Sequence, residues 1–324
     1  MISVAMTTYN GELYIKEQLD SILNQTLPVD QLVICDDGST DETVKILRKY
    51  KEKYPQVICL YENESNLGYR LNFKKAMSLC SGDYIFLCDQ DDIWKKKKVE
   101  LMVAKMQEMP QIKALATSFT YINQKGERKP VAPERGKSNN NLYLKEVPKG
   151  ACVRVTFEEY YNHNFFQGCA LLLRRDLKDQ VVEHFSTQVA HDYLINFTAA
   201  SRDTMYFWNV SLFYYRLHEK NTIGVQKTNM NFLEKMRTRN KLETRTILAV
   251  DGRQMLLALK ESDPEFYNKN KKYYDEKIKF YGKHIEYLEG RKLFKLLGQM
   301  RSPYYGEIKK LKNKGMDLLY VLIG

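Results

Sequence analysis

Tyr84-Ile85-Phe86-Leu87-Cys88-Asp89-Gln90-Asp91-Asp92 decides how the first 225 residues of this chain are read. Five residues make a short apolar strand, and three carboxylates within the next four positions end it. Like charges so close together cost stability at an ordinary strand end. A hard divalent cation reverses that balance, because Mg²⁺ and Mn²⁺ prefer carboxylate and phosphate oxygens. Position adds to composition, since open α/β sheets bind ligands beyond the carboxyl ends of their strands. Taken alone, 89–92 reads equally well as a solvated acidic turn, so the flanks carry the decision.

Upstream, Ile2 to Met6 forms a strand ended by Thr7-Thr8-Tyr9-Asn10-Gly11. Ile15, Leu19, Ile22 and Leu23 then recur at helical spacing across Leu13 to Gln25. Leu32 to Cys35 is a second strand, followed by Asp36-Asp37-Gly38-Ser39, and Ser39 with Glu42 fits a capping box for a helix reaching about Tyr54. A strand at Val57 to Tyr61 and a helix at Leu71 to Leu79 lead into the acidic strand. This alternation implies a parallel sheet joined by right-handed crossovers. The loops after the first, second and fourth strands then share one edge, which places Thr8-Tyr9, Asp36-Asp37 and Asp89 to Asp92 around one crevice.

Downstream, a helix at Lys97 to Glu108 and a strand at Ala114 to Thr120 continue the pattern. Gln124 to Pro148 is polar, carries three prolines and reads as a mobile loop or flap. Order resumes with the apolar run Gly168 to Leu173, a helix at Leu194 to Ala200, and short strands at Met205 to Trp208 and Leu212 to Tyr215. From Gln226 onward the chain reads as mainly helical.

Composition bounds the class. The 324 residues are 44% hydrophobic and 28% charged, as in soluble globular proteins. No run approaches the ~18 apolar residues of a membrane span. Met1 to Met6 lacks a basic region and reaches Thr7-Thr8 too soon for a signal peptide, which predicts a cytoplasmic protein. The six cysteines are scattered, with no Cys-x-x-Cys pair, and read as small core residues rather than a disulfide or zinc framework. Of the net charge of +11, residues 226–324 carry +10, so the basic part faces something anionic.

Thr8-Tyr9-Asn10-Gly11, Asp36 to Asp41, Asn66-Leu67-Gly68 and Asp89-Gln90-Asp91-Asp92 resemble, in order and spacing, the family-2 glycosyltransferases of GT-A fold. Asp89 to Trp94 and Tyr215 to Asn221 are most similar to bacterial rhamnosyltransferases of surface polysaccharide synthesis. The resemblance covers about residues 1–225. It implies an α/β domain with a Rossmann-like, mostly parallel sheet, followed by a mainly α-helical extension at 226–324. It also implies that Thr8, Tyr9, Asp36 and Asp37 hold the nucleotide base and ribose, with Asn66, Gly68 and Arg70 lining the same pocket. Asp89 would touch the donor ribose, and Asp89 and Asp91 would hold Mn²⁺ or Mg²⁺ against the diphosphate. Asp92 is either a further ligand or an orienting neighbour.

His191-Asp192 opens an apolar helix. By itself Asp192 suits a helix N-terminus, where the macrodipole favours a carboxylate. The resemblance makes it the catalytic base that takes a proton from the acceptor hydroxyl. His191 stands where relatives often carry an acidic residue, and with Asn164, Gln167 and Gly168 it would border the acceptor or sugar. Arg216 and His218 alternate at a strand end and so share a face; Arg216 would meet the leaving diphosphate and His218 the metal.

These readings predict a metal-dependent inverting glycosyltransferase. Its partners would be a nucleoside-diphosphate sugar (dTDP-L-rhamnose on the nearest resemblance, a UDP-sugar as the alternative) and a growing, lipid-linked glycan. A nucleotidyltransferase would need a basic, Gly-rich loop after the first strand, and Thr7 to Gly11 has no basic residue. A non-catalytic nucleotide-sugar-binding scaffold is the alternative from another class. The basic tail, with Arg291, Lys292 and Lys295 among Leu293, Phe294, Leu296 and Leu297, fits a peripheral helix on anionic lipid at the inner face of the plasma membrane. A homodimerisation module fits nearly as well; nucleic acid does not, since no reading motif accompanies the charge.

Overall fold

A computed structural model describes residues 1–160, 165–187, 189–218, 241–308 and 311–323. The chain divides into two compact units, Met1–Gly224 and Val225–Gly324.

The first unit is built on one mixed sheet. Its strands are β1 (Ile2–Thr8), β2 (Gln31–Asp36), β3 (Ile58–Glu62), β4 (Tyr84–Cys88), β5 (Ile93–Trp94), β6 (Ala114–Ile122), β7 (Cys152–Arg154), β8 (Leu171–Arg174) and β9 (Met205–Arg216). They lie in the order β3-β2-β1-β4-β8-β6-β9-β5, with β7 also paired to β9. The β1, β2, β3 and β4 pairings are all parallel, as the alternation predicts. Thr8 aligns with Asp36, and Met6 with Cys88, so the loops after β1, β2 and β4 leave at one edge.

Two features depart from the sequence reading. β8 is antiparallel to both β4 and β6, which makes the sheet mixed. A four-residue strand that is buried on both faces carries no directional signal, so Leu171 to Arg174 reads the same either way. Its reversal has a consequence: β8 starts, rather than ends, at the ligand edge and delivers Gln167 and Gly168 there. The two short strands expected at 205–208 and 212–215 are one strand, β9, whose register against β6 shifts beside Ser118.

The helices are α1 (Ile15–Leu23), α2 (Thr43–Lys53), α3 (Gly68–Ser78), α4 (Lys98–Glu108), α5 (Phe157–Tyr160), α6 (Arg175–Glu183) and α7 (His191–Ser201). In α1 the buried residues Ile15, Gln18, Leu19 and Ile22 follow the helical period. The expected Ser39–Glu42 capping box does not form. α2 starts only at Thr43, and the Ser39 hydroxyl instead donates to Asp36. Val4, Met6, Ile34, Phe86, Leu115 and Leu172 give the sheet its fully buried apolar centre. Between β6 and β7 there is no helix or strand. Tyr143 nonetheless packs its ring 5.2 Å from Phe165 and 5.5 Å from Phe207, which anchors the second half of that segment.

All described elements of the second unit are helical: α8 (Leu242–Ser262), α9 (Pro264–Lys269), α10 (Lys271–Glu289), α11 (Leu293–Gln299), α12 (Pro303–Ile308) and α13 (Leu311–Ile323). Gly252 on α8 admits the Tyr281 ring of α10; a Cβ there would stand 3.0 Å from it. Asp317 is fully buried, accepts from the Tyr305 hydroxyl at 2.7 Å, and lies 3.6 Å from Arg245 and 3.7 Å from His284. The apolar run 318–323 is not simply an exposed stripe, because Tyr320 and Val321 are buried. Lys309 and Lys310 lie outside the described residues. No helix among the described residues is long and apolar enough to cross a membrane.

Candidate active site

A cavity of about 540 Å³ opens where β1, β2 and β4 end. Thr8 and Tyr9 from the β1 loop line it with Asp37, Asn66 and Gly68, as do Gln167, Gly168, His191 and Asp192. Asp89, Asp91 and His218 also line it. Sheet topology therefore brings together residues from seven separate stretches of sequence.

Asp36 and Asp37 divide the work of their pair. Asp36 is buried and does not face the cavity. Its carboxylate accepts from the Thr8 hydroxyl at 2.7 Å and from the Ser39 amide at 2.8 Å. That fixes the ends of β1 and β2 together. Asp37 does line the cavity, while accepting from the Leu67 amide at 2.8 Å and the Gly68 amide at 2.9 Å. Gly68 opens α3 at φ +77°, a left-handed conformation that a side chain would strain. Arg70 lies away from the cavity, donating to the Thr187 carbonyl at 3.0 Å and the Tyr69 hydroxyl at 3.0 Å.

Gln90 is the residue of the acidic tetrapeptide that the sequence reading passed over. Its side chain accepts from the Tyr9 amide at 2.8 Å and donates to the Tyr9 carbonyl at 3.0 Å. A Cβ on Gly11 would stand 2.3 Å from the Gln90 amide oxygen, so Gly11 leaves the room for this clasp. The signal was present as a glutamine among aspartates, but its partner lay in a distant loop.

The three carboxylates are not equivalent. His218 Nε2 lies 2.7 Å from Asp91 Oδ2, with the His218 ring 5.0 Å from Tyr14. Asp92 is 1% exposed and accepts from the Arg216 amide at 3.1 Å, while its Oδ2 has no hydrogen-bond partner. Carboxylate oxygens of Asp89 and Asp92 and the Cys169 sulfur lie within 4.8 Å of one another. Burial, reinforced by the charge of Asp91, pushes the Asp89 carboxyl up to about 7, and the same causes push Asp92 well above the carboxylate range. Such crowded, partly unpartnered oxygens fit a hard divalent ion. The Cys169 thiol does not, since burial raises it well above its usual range and leaves a soft neutral donor.

Arg216 takes a different place from the one expected at the diphosphate. It is 1% exposed and does not line the cavity. Its guanidinium donates to the Asp91 carbonyl at 2.8 Å and the Gln124 carbonyl at 3.1 Å, pairs with Glu17, and lies 4.7 Å from the Tyr14 ring centre. It thus holds the backbone of the acidic loop, while His218 holds a side chain of that loop.

Lys98 lies beneath. It is fully buried, donates to the Cys169 carbonyl at 2.8 Å, and sits 4.1 Å from the Trp94 ring centre and 4.4 Å from that of Phe213. Burial lowers its pKa to about 8, while the Asp92 and Asp89 carboxylates are among the charges holding it up. In sequence it is the last of four lysines at 95–98, and nothing there separates it from a solvated basic run.

Across the cavity, α7 begins at His191, and Asp192 accepts from the Tyr193 amide at 2.7 Å. The His191 ring stacks on Phe73 with centroids 3.9 Å apart, and neither ring nitrogen has a hydrogen-bond partner. Burial, with the nearby Arg70 charge, lowers its pKa to about 3, so the imidazole is neutral. A Cβ on Gly168 would lie 2.8 Å from His191 Nε2, so this packing requires glycine there. Asn164 lies outside the described residues, as do residues 219–221.

A mixed sheet whose parallel strands present at one edge a carboxylate after β2, a crowded acidic loop and a further carboxylate on a helix start has the plan of a GT-A fold. The family model for Glycosyl transferase family 2 matches residues 3–182. This chain belongs to that family.

Among its relatives, the dTDP-rhamnosyl transferase RfbG of Shigella flexneri is 41% identical over 101 residues, 29% of this chain and 34% of that one. The chain spans between 18% and 50% of the length of the curated relatives compared. The structure of S. aureus TarS 1–349 in complex with UDP-GlcNAc has a TM-score of 0.56 at 18% identity, covering 99% of this chain and 79% of that one. GalNAc-T7 with UDP, GalNAc and Mn²⁺ gives 0.51 at 13% identity, covering 74% and 48%. These structural likenesses are of fold.

Two expectations follow from the site. The His191 imidazole resonances should stay those of the neutral ring from pH 8 down to pH 5. The unfolded chain takes up this proton near pH 6.5 and the folded chain only near 3, so the group withdraws stability as pH falls through that window, by about 1.4 kcal/mol per unit. A ring titrating near pH 6.5 in an NMR titration of the folded protein contradicts this. Second, Lys98→Met should destabilise the metal-free protein by roughly 2 kcal/mol, since it leaves the buried Cys169 carbonyl without its donor and removes a cation that interacts with Asp89 and Asp92. Millimolar Mn²⁺ should restore more of the thermal midpoint in the variant than in the native chain.

Proposed function

We propose that this enzyme transfers a sugar, with inversion, from a nucleoside diphosphate to a hydroxyl of a growing polysaccharide, with Asp192 as the base. The observation that carries the reading is that Asp192, Asp37, Asp89 and Asp91 all line one cavity. The nucleotide belongs on the Thr8, Tyr9 and Asp37 side. Tyr9, 49% exposed, offers a free ring face for the base, and the Gln90 clasp sets the backbone that presents it. Gln167, Gly168 and His191 border the sugar and acceptor. The His191 ring, its pKa lowered to about 3 by burial, is a poor proton acceptor at physiological pH.

Asp192 accepts the proton of the acceptor hydroxyl as that oxygen bonds to the anomeric carbon. The bond from that carbon to the diphosphate oxygen breaks, and its electron pair leaves with the nucleoside diphosphate. Asp89 and Asp91 would hold Mn²⁺ or Mg²⁺, with Asp92 behind them and His218 orienting Asp91. When bound, the ion supplies positive charge against the departing diphosphate. The manganese in the GalNAc-T7 structure supports this reading.

For the donor, similarity to RfbG favours dTDP-L-rhamnose, and the UDP-GlcNAc complex of TarS keeps UDP-sugars as the second reading. A lipid-linked glycan is the acceptor that goes with the rhamnosyl reading.

A panel of nucleotide sugars with Mn²⁺ tests the assignment. Asp192→Asn should lower kcat at least a hundredfold while donor binding, read by calorimetry, changes little. Undiminished transfer by that variant would overturn the role of Asp192. A metal must also displace the proton that Asp89 holds below about pH 7, so the Mn²⁺ affinity should rise between pH 6 and pH 8. Manganese binding followed by EPR reads this directly, and a flat profile contradicts Asp89 as a ligand.

A further inference from the structure

The second unit carries its own cleft, of about 400 Å³, between α10 and the turn joining α11 to α12. Lys279, Lys283 and Lys295 line it with Tyr287, Ser302 and Tyr304. Its single carboxylate, Glu276, already accepts from the Tyr304 hydroxyl at 2.8 Å. Lys279 and Lys283 are exposed, one helical turn apart, and neither makes a hydrogen bond or ion pair among the described residues. Like charges at that spacing repel, and an anion between them removes the repulsion. By contrast Lys292 of the same unit is paired with Glu286.

The helix that supplies Lys295 also supplies Phe294, at 86% the most exposed large apolar side chain among the described residues. Leu297, three positions on, is 42% exposed, whereas Leu296 between them is fully buried and anchors α11. A basic cleft and an unburied phenyl on adjoining positions match the two layers of a phospholipid surface, headgroup and acyl boundary. A nucleic acid would call for a longer basic track with several stacking rings.

We propose that this face docks on an anionic phospholipid surface, with lipid phosphates seated by Lys279, Lys283 and Lys295 and with Phe294 and Leu297 entering the acyl boundary. The net +10 of residues 226–324 provides the long-range attraction. α11 has only seven residues, so binding is peripheral and relies on charge and insertion together. The proposal goes beyond the transfer reaction and does not depend on it.

Flotation of the full chain with phosphatidylglycerol vesicles, against pure phosphatidylcholine, is the test. Binding should favour the anionic vesicles and weaken with salt. Lys279→Glu with Lys283→Glu should reduce it at least tenfold, and Phe294→Ser should reduce it with every lysine intact. These are surface positions, and unchanged thermal midpoints would confirm that the variants fold. In Phe294→Trp, emission should shift to the blue with phosphatidylglycerol vesicles and stay unshifted with inorganic phosphate. Equal binding to both vesicle types overturns the proposal, as does binding indifferent to the lysine variants or a tryptophan that does not respond to vesicles. A dimer dissociated by Phe294→Ser, seen by sedimentation without vesicle binding, assigns the face to self-association instead.

Discussion

The site depends on one electrostatic constraint: carboxylates crowded at the end of β4 must remain there without driving the strand ends apart. The fold meets it from several directions. Lys98 places a cation beneath the loop, Arg216 ties the Asp91 carbonyl and donates its amide to Asp92, and His218 takes the Asp91 carboxylate. None of these groups neutralises the loop completely. Asp92 keeps an unpartnered oxygen, and Asp89 and Asp92 hold their protons far more tightly than free carboxyls do. The result is a loop held by three basic side chains in which one buried Asp92 oxygen still lacks a partner.

The opposite wall follows a different logic. Around His191 the packing is aromatic, with Phe73 stacked on the ring and Gly168 leaving it space. Placing a neutral ring beside Asp192 adds no charge of its own to that wall. A carboxylate in place of His191 would meet the same burial without a hydrogen-bond donor from Phe73. The wall at Thr8, Tyr9 and Asp37 is fixed for a third reason: the Asp36, Asp37 and Gln90 side chains bond loop backbones to one another.

Much of this was legible in the sequence because it rests on local pattern. The span of β4 and the parallel register of β1 to β4 follow from apolar runs alternating with helical periods. The crevice then follows from topology. What escaped depended on long-range partners. Lys98 looks like its three lysine neighbours until Trp94 and Phe213 close around it. Arg216 shares a polar, basic segment with His218, and only the folded chain shows it turned to the underside of the loop. β8 carries no mark of its direction. Ser39 and Glu42 have the spacing of a cap, but Asp36 takes the Ser39 hydroxyl first.

The reversed strand also bears on synthesis. β4 lies beside β1 on one side and β8 on the other. The first partner precedes it, but the second is not made until residues 171–174 leave the ribosome. At 5–20 residues per second that gap lasts on the order of 4–17 s. During that interval Ile85, Phe86 and Leu87 form an open, apolar strand edge, the kind that recruits other chains. The nascent chain is therefore most exposed to misassociation midway through translation, and an early stop between β6 and β8 leaves that edge permanently unpaired.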